Sequence, residues 1–247
     1  MALSFQPMQE PPAFRPHESP QRAEILREVA ARVLELPATQ IARVAIDGVD
    51  GAGKTVFADE LASGLAPSRR PIIRASVDGF HNPRAIRYAR GRGSPEGFYF
   101  DSYDYAALRR SLLDPLGPEG SRVYRTAAFD HLTDSPVAAE AHLAAPNAIL
   151  VIDGIFLHRP ELSDCWDLSM FLSVPFEVSI PRGAARGPGF GSPEPAAESN
   201  RRYVEGQRLY LDQQNPQARA DIVIDNTDLA APKILHVRGS ARPTREV

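Results

Sequence analysis

The sequence predicts an α/β fold: a five-stranded parallel sheet core with helices on both faces and lid-like inserts. Three observations carry this. Short, nearly continuous apolar runs recur at 41–46, 72–77, 148–152, 168–174 and 221–225. Segments of helical spacing alternate with them, as in doubly wound sheets. The first run leads directly into Gly48-Val49-Asp50-Gly51-Ala52-Gly53-Lys54-Thr55, a GxxxxGKT pattern, and an amphipathic stretch follows at 56–62. Strand, glycine-rich loop and helix are the setting in which that pattern holds phosphate. The glycines let backbone N–H groups turn inward around an anion, and the helix start adds its positive dipole end. The fold class narrows to a P-loop NTPase fold.

The elements follow in order. Residues 1–20 are polar and rich in proline (Pro7, Pro11, Pro12, Pro16, Pro20), which reads as a flexible N-terminal segment. Ile25, Val29, Val33 and Leu36 predict a helix over 20–36, ended by Pro37. The first strand is Ile41–Ile46, and the loop and its helix run to about Leu65. The second strand, from Ile72, ends in Asp78-Gly79-Phe80-His81. Residues 82–100 are irregular and rich in Arg, Gly, Pro and aromatics, the mark of a functional or disordered insert. A short helix is expected over 105–116, an extended excursion or hairpin over 121–136 and a helical turn over 138–144. Ala148–Ile152, apolar throughout, predicts a strand buried on both faces and ends in Asp153-Gly154. After the strand at Leu168–Val174, Phe176–Ala184 reads as a helix interrupted by Pro181. A breaker-rich loop covers 187–193 and a helix 200–211. The last short strand is Asp221–Asp225, and the polar chain from Lys233 onward reads as loose at its end. A single domain is expected over 21–235, with a tail over 236–247.

Composition sets the class. The 247 residues carry a net charge of -3 and are 43% hydrophobic and 24% charged, as in ordinary globular domains. That charge offers no nucleic-acid or membrane surface. The positive charge is almost all arginine, with Lys54 and Lys233 the only lysines. A single cysteine, Cys165, excludes an internal disulfide and a cysteine-based metal cluster. No apolar run approaches the ~20 residues that span a bilayer, and no secretory signal is evident, so a cytoplasmic protein is the default. A homo-oligomer stays open.

The chemistry-bearing residues converge on phosphoryl transfer. Gly48, Asp50, Gly51, Ala52, Gly53, Lys54 and Thr55 form the candidate ATP site. Lys54 would reach the β- and γ-phosphates, and Thr55 would hold Mg²⁺ through its hydroxyl. Asp78, at the carboxyl end of the second strand, lies where parallel sheets place ligands and is the candidate base. Asp153 is the candidate metal-side acid. Arg182 and Arg186, after the fourth strand, are candidate mobile cations for the developing charge. Each has a plainer alternative: Asp-Gly turns for the two acids, a solvated face for the arginines.

The combination of Gly48–Thr55, Asp78-Gly79-Phe80-His81, Asp153-Gly154-Ile155 and Arg182…Arg186 resembles the uridine kinase, phosphoribulokinase and pantothenate kinase superfamily, over roughly residues 40–235. The resemblance implies ATP and Mg²⁺ as cofactors and a hydroxyl of a nucleoside, pantothenate or sugar phosphate as acceptor. Asp78 takes the position of the family's catalytic acid, and Asp153 that of its metal-side acid, usually a glutamate. The lid pattern is present in part, as Arg182-Gly183-Ala184-Ala185-Arg186-Gly187-Pro188. On the acceptor side, Tyr124 and Phe129-Asp130-His131 stand near a uridine-kinase-like segment of different order and spacing. The stretch Arg90-Gly91-Arg92-Gly93-Ser94-Pro95-Glu96 is similar to one on the pantothenate kinase side. His81, Arg90, Tyr99, Tyr124 and His131 are therefore the candidate acceptor-binding residues.

The expected function is an ATP-dependent kinase of a nucleoside hydroxyl. Pantothenate or a sugar phosphate is the alternative acceptor, for which Arg84, Arg87, Arg90 and Arg92 could supply cations. A nucleotide-binding switch protein without acceptor chemistry is the third reading.

Overall fold

The computed structural model describes residues 19–187 and 191–238. The proline-rich lead-in up to residue 18, residues 188–190 of the breaker-rich loop and residues 239–247 of the tail lie outside the described residues.

One six-stranded sheet organises the chain. Its strands are β1 (Ala42–Gly48), β2 (Ile72–Ser76), β3 (Ile149–Asp153), β4 (Leu168–Ser173), β5 (Ile222–Asp225) and β6 (Lys233–Val237). The order across the sheet is β2-β3-β1-β4-β5-β6. The first five run parallel, and β6 joins antiparallel to β5. Register aligns the carboxyl ends: Ile46 and Ser76 both pair with Asp153. Gly48, Asp78 and Asp153 therefore emerge along one edge, where strand carbonyl ends and helix starts form a crevice.

Both faces are covered, which explains the unbroken apolar runs. Val44, Ile46, Ile149 and Val151 face helices α1 (Pro20–Leu34) and α2 (Lys54–Leu65), packing with Val29, Val33, Phe57, Leu61 and Leu65. The alternating residues Ala45, Leu150 and Ile152 face the other way, toward Phe80, Leu108, Leu112 and Phe156. Each fully buried large side chain of this kind contributes about 1.5–3 kcal/mol. α1 begins on a Ser19 cap that accepts from the Arg22 N–H at 3.0 Å. Arg22 itself is buried, pairs with Glu60 at 2.6 Å and reaches Asn226 Oδ1 and the Leu229 carbonyl, tying α1 to α2 and to the loop after β5.

Three further helices shape the site end. They are α3 (Pro95–Asp101), α4 (Phe176–Ala184) and α5 (Arg201–Gln214). α3 and α5 pack on each other, with Gly206 of α5 against Pro95 and Phe98. No helix among the described residues is long and apolar enough to cross a membrane.

Several expectations are corrected. Lys233–Val237, read from the sequence as the start of a polar tail, is a strand, because half-buried Ile234 and Val237 dock onto the free edge of β5. The helical turn expected over 138–144 is extended; His142–Leu143 pairs antiparallel with Val123–Tyr124. The helix expected over 105–116 breaks after Leu108 into a π turn at Arg109–Leu113, where the Asp114 N–H donates to the Arg109 carbonyl at 2.8 Å. Pro181 does not end α4, which continues to Ala184 with Ser179 and Ile180 buried. The irregular insert holds a helical turn at Arg84–Arg87 and α3 itself, capped by Ser94.

Candidate active site

The phosphate loop leaves the central strand at Gly48 and turns through Gly51 (φ 76°) and Gly53 (φ 88°) into α2. Those left-handed values favour glycine. Gly51 is also needed for space: a Cβ there would stand 1.9 Å from the Ser179 carbonyl of α4, which lies across the loop. The N–H groups of Gly51, Gly53, Lys54 and Thr55 have no acceptor among the described residues and stand at a helix start. They form an anion cradle. Lys54 is buried, and its Nζ donates to the Val49 carbonyl at 2.9 Å.

Thr55 and Asp153 meet at the loop. Thr55 Oγ1 donates to Asp153 Oδ2 at 2.8 Å, and Arg74 Nη2 holds Asp153 Oδ1 at 3.0 Å. Asp153 is almost fully buried, so the Arg74 cation offsets much of its desolvation. Gly154 follows because a Cβ there would stand 2.3 Å from Val77 Cγ1. A hydroxyl and a carboxylate side by side are hard oxygen donors suited to Mg²⁺, which takes few protein ligands and completes its shell with water and phosphate.

Asp78 follows the carboxyl end of β2. Its carboxylate is exposed, and Oδ1 accepts a hydrogen bond from the Tyr103 hydroxyl at 3.1 Å. Burial first, then the charges of Asp78 and Asp50, hold the Tyr103 phenol well above its ordinary pKa, so it stays a donor. His81 lies 2.9 Å from the Asp78 carbonyl through Nδ1. Its ring stacks on His131 with centroids 4.6 Å apart and tilts against Tyr103 at 4.5 Å. Burial lowers the His81 pKa, against the opposing pull of Asp78. The structure thus brings Asp78, His81 and His131 together.

Other candidates are placed elsewhere. Tyr99 is a core residue: it is 1% exposed, its hydroxyl accepts from Gln214 Nε2 at 3.0 Å, and Arg159 lies over its ring. Its aromatic surface completes the core between α3 and α5. Tyr124 packs against the same core and against the His142 ring. Arg90 pairs with Asp101 at 2.8 Å on the surface. Arg182 does not point free into the crevice; its guanidinium donates to the Asn226 carbonyl at 3.1 Å and to the Thr227 carbonyl. Arg186 is exposed, and its charge, with that of Lys54, opposes the rise that burial produces in the Asp50 pKa.

Several buried side chains that shape the site carry no motif. Asp47, fully buried, accepts from the Gly48 N–H at 2.7 Å, from His158 Nδ1 at 2.7 Å and from the Tyr210 hydroxyl. Gln207 Oε1 accepts the Asp50 N–H at 2.6 Å. α5 therefore braces the phosphate loop at two points one turn apart. Arg202, also on α5, donates to the carbonyls of Arg87, Gly91, Arg92 and Ser94 and so fixes the insert that follows β2. An acid directly before the loop is the only local signal of this bracing; its partners lie over a hundred residues away.

No family model and no curated protein matches the sequence. Solved structures do. A possible uridine kinase from Bacillus stearothermophilus superposes with a TM-score of 0.65 at 21% identity, covering 81% of this chain and 97% of that one. A candidate fructose transport system kinase from Silicibacter sp. TM1040 gives 0.60 at 23%, covering 78% and 95%. Phosphoribulokinase from Rhodobacter spheroides gives 0.54 at 14%, covering 83% of each chain. At these identities the likeness is one of fold, and the fold of this chain is the one shared by the phosphate-loop kinases of the uridine kinase and phosphoribulokinase group.

Proposed function

We propose that the protein is a small-molecule kinase that transfers the γ-phosphoryl group of ATP to a hydroxyl, with a nucleoside as acceptor. The observation that carries the reading is the convergence of two oxygen pairs at one sheet edge: Thr55 with Asp153, and Asp78 with Tyr103. A pure nucleotide switch has use for the first pair but not the second. The kinase folds of the structural neighbours agree with it.

The residues take these roles. The amides of Gly51, Gly53, Lys54 and Thr55 cradle the donor phosphates, and Lys54 moves from the Val49 carbonyl to the β- and γ-oxygens. Thr55 and Asp153 would hold Mg²⁺, which neutralises charge developing on the phosphates. The Tyr103 hydroxyl fixes Asp78 Oδ1 and leaves Oδ2 to accept the proton of the attacking hydroxyl. Arg186 supplies positive charge from the α4 side, and Arg182 anchors that helix to the loop after β5.

The acceptor insert favours an uncharged molecule. Arg84 bonds the Leu132 carbonyl at 3.0 Å, and its own N–H donates to Asp134 at 2.8 Å. Arg87 bonds the Asn82 carbonyl at 2.7 Å and pairs with Asp134 at 3.4 Å, and Arg90 pairs with Asp101. Three of the four cations that an anionic acceptor would use are thus engaged internally. The stacked His81 and His131 rings beside Asp78 offer a flat surface that suits a base. The test is ADP release from Mg-ATP with uridine, cytidine, pantothenate, ribose 5-phosphate and no acceptor. Release that rises with a nucleoside supports the reading. Release that rises with pantothenate or ribose 5-phosphate instead moves the acceptor to those classes, and equal release in every case removes the kinase assignment.

A further inference from the structure

We propose that the Asp50 carboxylate is a second acid of the acceptor pocket, a hydrogen-bond acceptor for a hydroxyl of an uncharged polyol acceptor, and not a part of the ATP cradle. The proposal rests on the kinase reading above and assigns a binding role on its acceptor side. Position within the motif makes Asp50 look like a cradle residue, since it sits among the glycines of the loop. The geometry turns it the other way.

The backbone is the first reason. The Asp50 N–H does not face the anion cradle; it is held by Gln207 Oε1 at 2.6 Å. Gln207 is in turn fixed by its Nε2, which donates to the Tyr203 carbonyl at 3.0 Å. Asp50 is thereby hooked to α5, the helix that also carries the acceptor-side insert through Arg202.

The side chain is the second. The three other acids at this sheet edge have protein donors: Asp47 takes His158 and Tyr210, Asp153 takes Thr55 and Arg74, and Asp78 takes Tyr103. The Asp50 carboxylate has neither a hydrogen bond nor an ion pair among the described residues, although it is half-buried. The charged and phenolic groups it interacts with are Lys54, Asp78, Arg186, Tyr103 and Tyr203. Asp78 and Tyr103 are the acceptor pair, and Tyr203 is on α5. Asp50 is thus tied to α5 through its backbone and feels the charge of the base, with its oxygens unsatisfied by protein. A half-buried carboxylate without a donor is costly unless a ligand supplies one. Burial and the neighbouring Asp78 hold its pKa up, against Lys54 and Arg186.

The chemistry of the ligand follows. Two carboxylates at one pocket repel a phosphorylated or carboxylated acceptor and match a molecule that presents more than one hydroxyl. Asp78 takes the proton of the reacting hydroxyl. Asp50 accepts a hydrogen bond from another and orients the molecule.

The test compares wild type with Asp50→Asn and Asp50→Ala. It measures KM for uridine and cytidine, kcat at saturating nucleoside, the Kd of Mg-ATP by fluorescent-analogue displacement, and Tm. Losing a hydrogen bond to a charged group raises nucleoside KM by roughly ten-fold or more. Mg-ATP Kd stays within about two-fold and Tm stays near wild type, because no protein contact of the carboxylate is lost. Asp50→Asn, which keeps the shape and one acceptor oxygen, shows the smaller rise. A ten-fold weaker Mg-ATP Kd with unchanged nucleoside KM overturns the proposal and returns Asp50 to the cradle, and unchanged values of both also overturn it. A wild type that turns over neither nucleoside defeats the nucleoside-kinase reading itself and this inference with it. A wild type active on nucleosides with an unmoved KM in the variants defeats this inference alone.

Discussion

Replacing Gly51 by alanine separates a loop that merely contains glycine from one that a helix presses upon. The added Cβ would stand 1.9 Å from the Ser179 carbonyl and 3.2 Å from the Gly183 nitrogen, both backbone atoms of α4. Backbone cannot swing aside as a side-chain tip can, so α4 must withdraw by roughly 1 Å to restore contact distance. Overpacking of that size costs about 1–3 kcal/mol. The left-handed φ of 76° adds a further penalty of about 1–2 kcal/mol for any residue with a Cβ. Together these come to about 2–5 kcal/mol. For a chain of this size each kcal/mol shifts Tm by about 2–4 °C, so a fall of about 4–20 °C is expected. Thermal unfolding with and without Mg-ATP checks it. Mg-ATP should rescue less of the variant than of wild type, because the shifted loop presents its amides poorly. A Tm within a degree of wild type, with full rescue by Mg-ATP, would refute the packing of α4 over the loop.

Arg74→Ala leaves the buried Asp153 without its cation and should lower stability by about 3 kcal/mol, with part of the loss recovered in Mg-ATP; urea unfolding with and without ligand reads both. The Cys165 thiol is 1% exposed, and burial first, then Asp164, pushes its pKa up to about 12. Native protein at neutral pH should resist alkylation, with labelling that tracks unfolding by urea; rapid native labelling would contradict the burial. The His81 pKa lies below its ordinary 6.5, chiefly through burial. The unfolded chain therefore takes up the proton first, so stability is full above 6.5 and declines as pH falls below it toward the folded pKa. His81→Gln should flatten that decline in Tm.

Much of this was legible in the chain. Four of the five parallel strands announced themselves because they are buried on both faces and so read as apolar runs, while β2, at the sheet edge, alternates buried and half-buried residues. The phosphate loop was legible because GxxxxGKT fixes backbone geometry locally, and Asp78 and Asp153 were legible as acids at predictable strand ends. The surroundings of the other candidates were not. Tyr99 reads as an acceptor-binding residue in the sequence, yet a half-buried platform and a core aromatic are the same letter, and only the packing of Phe156, Tyr210 and Arg159 around it tells them apart. Arg90 and Arg182 look like free cations until their partners Asp101 and the Asn226 carbonyl arrive from elsewhere in the chain. The same holds for Asp47 with His158 and Tyr210, a tie that spans 163 residues. β6 was hidden because an edge strand needs only two half-buried side chains and a free backbone edge, which leaves little periodic signal.

In the proposed reaction Asp78 takes the proton of the acceptor hydroxyl while the loop holds the donor. Single-turnover transfer from Mg-ATP to uridine, measured in wild type, Asp78→Asn and Lys54→Ala beside Mg-ATP affinity, tests it most directly. Asp78→Asn should slow transfer by about 10²–10⁴-fold with Mg-ATP affinity unchanged, and Lys54→Ala should abolish transfer. Near-normal transfer by Asp78→Asn would contradict it.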